Sequence, residues 1–170
     1  MRKITMLVMV VSLLSLSAAL AAEYNLVPNR LSQAKVGEWV VLGNVQEPGE
    51  TVKTIVQAVE CDDTGAVVVL RRETLDAEGK VTDSTERRVS LSRYQDRLDK
   101  LDQKADRISR EKMLVKDSEI TVYVVEWVDE ESGREMKLWS SYAIPVGGFV
   151  KIWSSDPELA TYEIVDFGWE

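Results

Sequence analysis

The sequence predicts a mainly β protein: a curved antiparallel sheet, a half-barrel or barrel of about eight strands, with one inserted helix. Three observations carry this reading. Short runs rich in Val, Ile, Thr and Trp are separated by breaks that combine Asp or Glu with Gly, the chemistry of tight hairpin loops. A single stretch in the middle of the chain switches to helical period. No Ser- or Pro-rich linker, charge block or internal repeat divides residues 36–170, so they read as one β-rich domain.

The chain opens with Met1-Arg2-Lys3, an apolar run from Ile4 to Leu16, and small residues at Ala18-Ala19-Leu20-Ala21-Ala22. That is the basic, apolar and small-residue order of a secretory signal peptide, and the apolar run falls short of the roughly 20 residues that span a bilayer. Residues 1–22 are therefore expected to be removed, with cleavage after Ala21 or Ala22, leaving an exported protein of the periplasm or the extracellular space without a transmembrane span. Loss of Arg2 and Lys3 leaves 19 basic against 29 acidic residues and a net charge of -10 in place of -8. Residues 23–35 contain Pro28 and little periodicity and are expected to be irregular.

Val36 to Val45 (VGEWVVLGNV) is the first strand-like run, ended at Pro48-Gly49. Thr51 to Cys61, Ala66 to Leu75 and Lys80 to Leu91 follow, separated by Asp62-Asp63-Thr64-Gly65 and Asp76-Ala77-Glu78-Gly79. Short acidic, Gly-containing connections join neighbouring antiparallel strands, so these four runs form a meander. In the next segment Tyr94, Leu98, Leu101, Ala105 and Ile108 recur at spacings of four and three with charged residues between them, which predicts a helix over about 93–110. Ser92 and Gln95 fit a capping box at its start. The narrow stripe either lies on the sheet or meets a partner. Ser118 to Val128 (SEITVYVVEWV) carries bulk at both alternating sets of positions, as a strand covered on both faces does. Glu135 to Tyr142, Phe149 to Ser154 and Thr161 to Gly168 complete the series.

Composition narrows the chemistry. The chain has no His and one Cys. Imidazole-based nucleophilic triads, His-containing metal sites, iron–sulfur clusters and internal disulfides are thereby excluded. The acidic balance argues against nucleic acid, whose binding needs Lys and Arg to displace counterions. Cys61, with no Lys or Arg within several residues, reads as a small apolar strand position. Asp63-Thr64-Gly65 repeats the tripeptide of aspartic proteases, but the acidic-then-Gly loops at 76–79 and 129–133 have the same composition, and turn chemistry accounts for all three. Asp62-Asp63 and Asp129-Glu130-Glu131 lack the spacing of a calcium loop. No catalytic residue, metal site or cofactor is expected.

Trp39, Trp127, Trp139 and Trp153 all fall in strand-like runs. Large aromatics on a curved sheet either fill its inside or line a pocket there, so these four are the candidate ligand-binding residues.

The stretch Trp139 to Lys151 (WSSYAIPVGGFVK), the closing Val165-Asp166-Phe167-Gly168 and the opening Val36-Gly37-Glu38-Trp39-Val40 resemble segments of uncharacterised exported bacterial β-rich proteins grouped with the lipoprotein-carrier (LolA-like) half-barrel. The resemblance implies a sheet curved around a helix, with an apolar concave face that shields lipid or lipoprotein acyl chains in the best-known members. Those carriers also have an N-terminal helix ahead of the sheet, which residues 23–35 do not suggest. The expected function is a non-enzymatic, monomeric envelope protein binding an apolar or lipid-like ligand on the concave face. The alternative is a protein-protein interaction module acting through an edge strand or the 94–108 helix face.

Overall fold

The computed structural model describes residues 28–46, 49–63 and 65–169. The expected signal peptide lies outside the described residues, as do Pro48 and Thr64 of the hairpin loops. The described residues form one antiparallel sheet of nine strands that is not closed: β1 (Glu38–Asn44), β2 (Thr51–Asp62), β3 (Gly65–Leu75), β4 (Val81–Ser90), β5 (Arg107–Val115), β6 (Ser118–Val128), β7 (Glu135–Ser140), β8 (Phe149–Ser154) and β9 (Tyr162–Trp169). Helix α1 (Leu91–Lys104) is inserted between β4 and β5. The spatial order is β4-β3-β2-β1-β9-β8-β7-β6-β5. The chain thus meanders outward from the middle of the sheet to one edge, crosses on α1 to the other edge, and meanders back until β9 pairs with β1.

That crossing imposes the curvature. In a flat sheet eight spacings of about 4.8 Å would set the two edge strands about 38 Å apart. Every step between neighbours is antiparallel, so the end of β4 and the start of β5 also lie at opposite rims. A 14-residue helix supplies about 21 Å, and the two linking residues about 7 Å. The link closes only on a curled sheet, with α1 running diagonally over its concave face, where it touches β3, β4 and β6.

The edges left open are defended by charge. Asp83, Glu86 and Arg88 on β4, and Arg107, Arg110 and Lys112 on β5, are exposed, which discourages pairing with another chain. The β5–β6 turn has Lys116 and Asp117 both at positive φ, as a two-residue hairpin of matching twist requires. Its Lys116 Nζ donates to the Phe167 carbonyl at 3.2 Å and pairs with Asp166, tying the hairpin tip to β9.

Three sequence expectations change. The helix ends at Lys104, and Arg107–Val115 is a ninth strand; Ile108 continues the helical spacing by coincidence and is a strand residue paired with Val125. The helix begins at Leu91 with Ser90 as its N-cap, so Ser92 and Gln95 form no capping box. Gln95 instead accepts from the Asn29 side chain at 2.5 Å and donates to Asp99 at 2.7 Å. Cys61 does sit in β2, but its side chain is exposed. The two-sided bulk of β6 is met as expected: Val122 and Val124 are buried on one face and Val125 on the other.

Within residues 23–35, Arg30–Gln33 forms a 3-10 turn capped by Asn29, whose side-chain oxygen accepts from the Ser32 amide at 3.2 Å. Arg30 reaches the buried Glu38 carboxylate at 3.0 Å, and the same carboxylate accepts from the Lys35 amide at 3.1 Å. These contacts hold the segment against β1 and turn Leu31 into the core.

Candidate functional site

The pleat sorts each strand onto two faces, and the register shows which residues share the concave one. Val40 faces Thr54 and Leu42 faces Val52 across β1 and β2. Thr54 faces Arg72 across β2 and β3, and Leu70 faces Arg87 across β3 and β4. In the other half, Val125 faces Leu138, Leu138 faces Ile152, and Ile152 faces Tyr162. From above, α1 presents Tyr94, Leu98 and Leu101, spaced four and three apart and therefore on one side of the helix.

Helix and sheet do not fill the space between them. Leu98 is buried against Val125 and Leu138, while Tyr94 packs against both apolar clusters. A cavity of about 530 Å³ remains, lined by aliphatic and aromatic side chains from the sheet and α1, with Leu31, Val146 and Gly147 contributed by loops. The volume lies in the range of about 300–1,000 Å³ found for sites that hold a single small molecule.

The loop between β7 and β8 shapes one wall. Ile144, Pro145, Val146, Gly147 and Gly148 are all buried. Val146 adopts φ 53, a left-handed conformation that a β-branched residue strongly resists, and Gly147 and Gly148 follow at φ 96 and 76. A Cβ on Gly148 would lie 2.7 Å from the Ser141 carbonyl oxygen, and one on Gly147 would lie 3.2 Å from the Tyr94 hydroxyl. The Pro-x-Gly-Gly sequence therefore lets the backbone pass close under the helix. Burial pushes the Tyr94 phenol up to about 12, so it holds its proton in the alkaline range where an exposed tyrosine ionises.

The four tryptophans are not brought together. Trp127 lines the cavity. Trp39 lies on the opposite face of β1 from Val40 and Leu42, under the Lys53 and Lys116 ammonium groups at 4.9 and 5.9 Å from the ring centre. Trp139 points away from Leu138, on the same face as Val124, where it packs against the core cluster without lining the cavity; it donates its indole N–H to Glu111 at 2.7 Å and has Lys151 over its ring. Trp153 follows Ile152 and so lies on the face opposite it, across from Lys137, and outside the cavity lining. The reason is register: an offset of one residue transfers a strand side chain to the other face, and the sequence does not reveal which alternating set is concave.

The α1 stripe lies against the sheet. It does not offer the outward face that a partner would need. Asp63, at the β2–β3 hairpin, is exposed, and Asp129 accepts from the Ser132 amide and hydroxyl, bonds that hold its carboxyl below the usual range. Both belong to turns. Among the described residues, no group of three or more His, Cys, Asp or Glu is placed to hold a metal ion.

Sequence reasoning overlooked the cationic part of the lining. Arg72, Arg87, Arg97 and Lys151 contribute to the cavity wall, and among the described residues no carboxylate does. A usable signal existed in Leu70-Arg71-Arg72, where an Arg two residues from a Leu must share its face.

No protein-family model and no curated protein matches the chain. Among solved structures, it is similar to a Bacteroides fragilis protein described as a candidate exported protein with a YmcC-like fold, at 13% identity and a TM-score of 0.45 over 79% of this chain and 97% of the other. Among the described residues, no helix is long and apolar enough to cross a membrane.

Proposed function

We propose that this is an exported, non-enzymatic binding protein of the cell envelope that carries an apolar or lipid-like ligand between its helix and its sheet. The observation that supports this most is the cavity of about 530 Å³, whose walls are mainly Val, Leu, Ile and aromatic side chains. A cavity of this kind leaves apolar wall facing water, and an apolar guest removes that surface from water. The leader sequence supports export. The short segments that resemble uncharacterised exported proteins grouped with the lipoprotein-carrier half-barrel support the same kind of guest.

The test is titration with an uncharged apolar fluorophore such as N-phenyl-1-naphthylamine. The wild-type protein should enhance and blue-shift its emission with saturable stoichiometry near one. Leu101→Glu places a carboxylate in the wall from a half-exposed helix position and should abolish the effect while leaving the far-ultraviolet circular dichroism unchanged.

A further inference from the structure

The charge of the cavity wall runs against the charge of the protein. The chain carries 29 acidic and 21 basic residues, yet among the described residues the ionisable ones on the wall, Tyr94 and Tyr162 aside, are Arg72, Arg87, Arg97 and Lys151. Lys151 is neutralised by Glu163 at 2.8 Å. The three arginines are different: among the described residues, none of them has an ion-pair or hydrogen-bond partner.

Their placement brings them to one side of the cavity. Arg72 faces Thr85 and Arg87 faces Leu70 across the β3–β4 ladder, so the two are diagonal neighbours on the concave face, about 7–8 Å apart at the backbone. Arg97 lies one turn from Tyr94 and from Leu101 on α1, which contacts both β3 and β4, and lines the same cavity. All three are exposed, so their guanidinium groups stand at the mouth while their stems join the apolar wall. Neighbouring cations without counter-charges repel one another, and a guanidinium is built to grip a carboxylate or phosphate oxygen pair.

We infer that the natural guest is a single-chain anionic amphiphile of the fatty-acid type, its tail in the apolar cavity and its head group held at the mouth by Arg72, Arg87 and Arg97. This rests on the ligand-carrying reading above and adds to it the sign and position of the head group. An apolar cavity alone would not discriminate between head groups. Three unpaired cations at its mouth favour an anion and disfavour a cation.

The experiment compares three ligands with one tail, dodecanoate, dodecanol and dodecyltrimethylammonium, each below its micelle-forming concentration, by displacement of the uncharged fluorophore. Dodecanoate should bind about tenfold or more tighter than dodecanol, as a charge-assisted hydrogen bond provides, and the cation most weakly. The preference should shrink as salt rises, because the arginines are exposed. In Arg72→Gln/Arg87→Gln/Arg97→Gln the ratio of dodecanoate to dodecanol affinity should fall to near one. Arg88→Gln, whose side chain pairs with Glu60 on the other face of β4, should keep the wild-type ratio. Equal affinity of the wild-type protein for all three ligands would overturn the head-group inference and leave the carrier reading intact. Failure of the fluorophore itself to bind would overturn both.

Discussion

The hydroxyl of Tyr94, on the helix that crosses the sheet, stands 3.5 Å from the carbonyl oxygen of Gly147, in the buried loop between β7 and β8. This approach joins two parts of the chain 53 residues apart, both of which line the cavity. It also buries a phenol, and its pKa of about 12 has a consequence for stability. An unfolded tyrosine loses its proton near pH 10, whereas the folded one holds it to about 12, so the unfolded state binds fewer protons between those values. Stability contributed by Tyr94 is full below about pH 10 and is lost as pH rises from there toward 12. Spectrophotometric titration of the folded protein should show a phenol ionising near 12 that disappears in Tyr94→Phe, and the variant's stability should fall less steeply over that window.

Gly148→Ala should be severely destabilising. The new methyl would meet the Ser141 carbonyl oxygen at 2.7 Å, and the residue would be held at φ +76. The left-handed conformation costs about 1–2 kcal/mol and the overlap with backbone about 1–3 kcal/mol more. Gly79→Ala isolates the first of these, since Gly79 has φ +78 with nothing within 4 Å of the added carbon. Urea unfolding of both variants separates them: a loss of about 1–2 kcal/mol is expected for Gly79→Ala and a clearly larger one for Gly148→Ala.

Leu98 and Leu114 make a second contrast. Leu98 is 4% exposed and packs between helix and sheet, whereas Leu114 on β5 is 72% exposed. Leu98→Ala should cost about 2–5 kcal/mol, and Leu114→Ala should stay within about 0.5 kcal/mol of wild type. Comparable losses at the two sites would contradict the placement of α1 on the concave face.

The Arg30 and Glu38 pair holds the N-terminal segment. The two side chains are 17% and 8% exposed and 3.0 Å apart. Arg30→Ala leaves the Glu38 carboxylate buried with the Lys35 amide as its remaining donor, at a cost of about 2–3 kcal/mol for a pair that is not fully enclosed. Limited proteolysis should then cut ahead of Glu38 sooner than it does in the wild-type protein.

Much of this architecture was legible before any coordinates, for identifiable reasons. Hairpin loops announce themselves through Gly at positive φ, as at Gly65, Gly79 and Gly133, and those breaks bounded the strands well. The stripe Tyr94, Leu98, Leu101 located the inserted helix because the helical period depends only on local spacing. The strand β5 escaped because Ile108 continued that spacing and because its pairing with β6 is a contact between separate runs. Trp39, Trp139 and Trp153 stand outside the cavity lining, unlike Trp127, for a related reason. Whether Trp139 or Leu138 turns inward is decided by the curvature of the whole sheet, which no local pattern encodes. Arg72 and Arg87 were missed because charged residues in strands are ordinarily solvated, and only the register with Leu70 places them at the cavity.

Ligand carriage between helix and sheet is tested most directly by titrating the wild-type protein and Leu101→Glu with the uncharged fluorophore. The account predicts saturable binding by the wild-type protein, near one site per chain, and none by the variant at equal helix and sheet content. Absence of saturable binding in the wild-type protein, or equal binding by both, would contradict it.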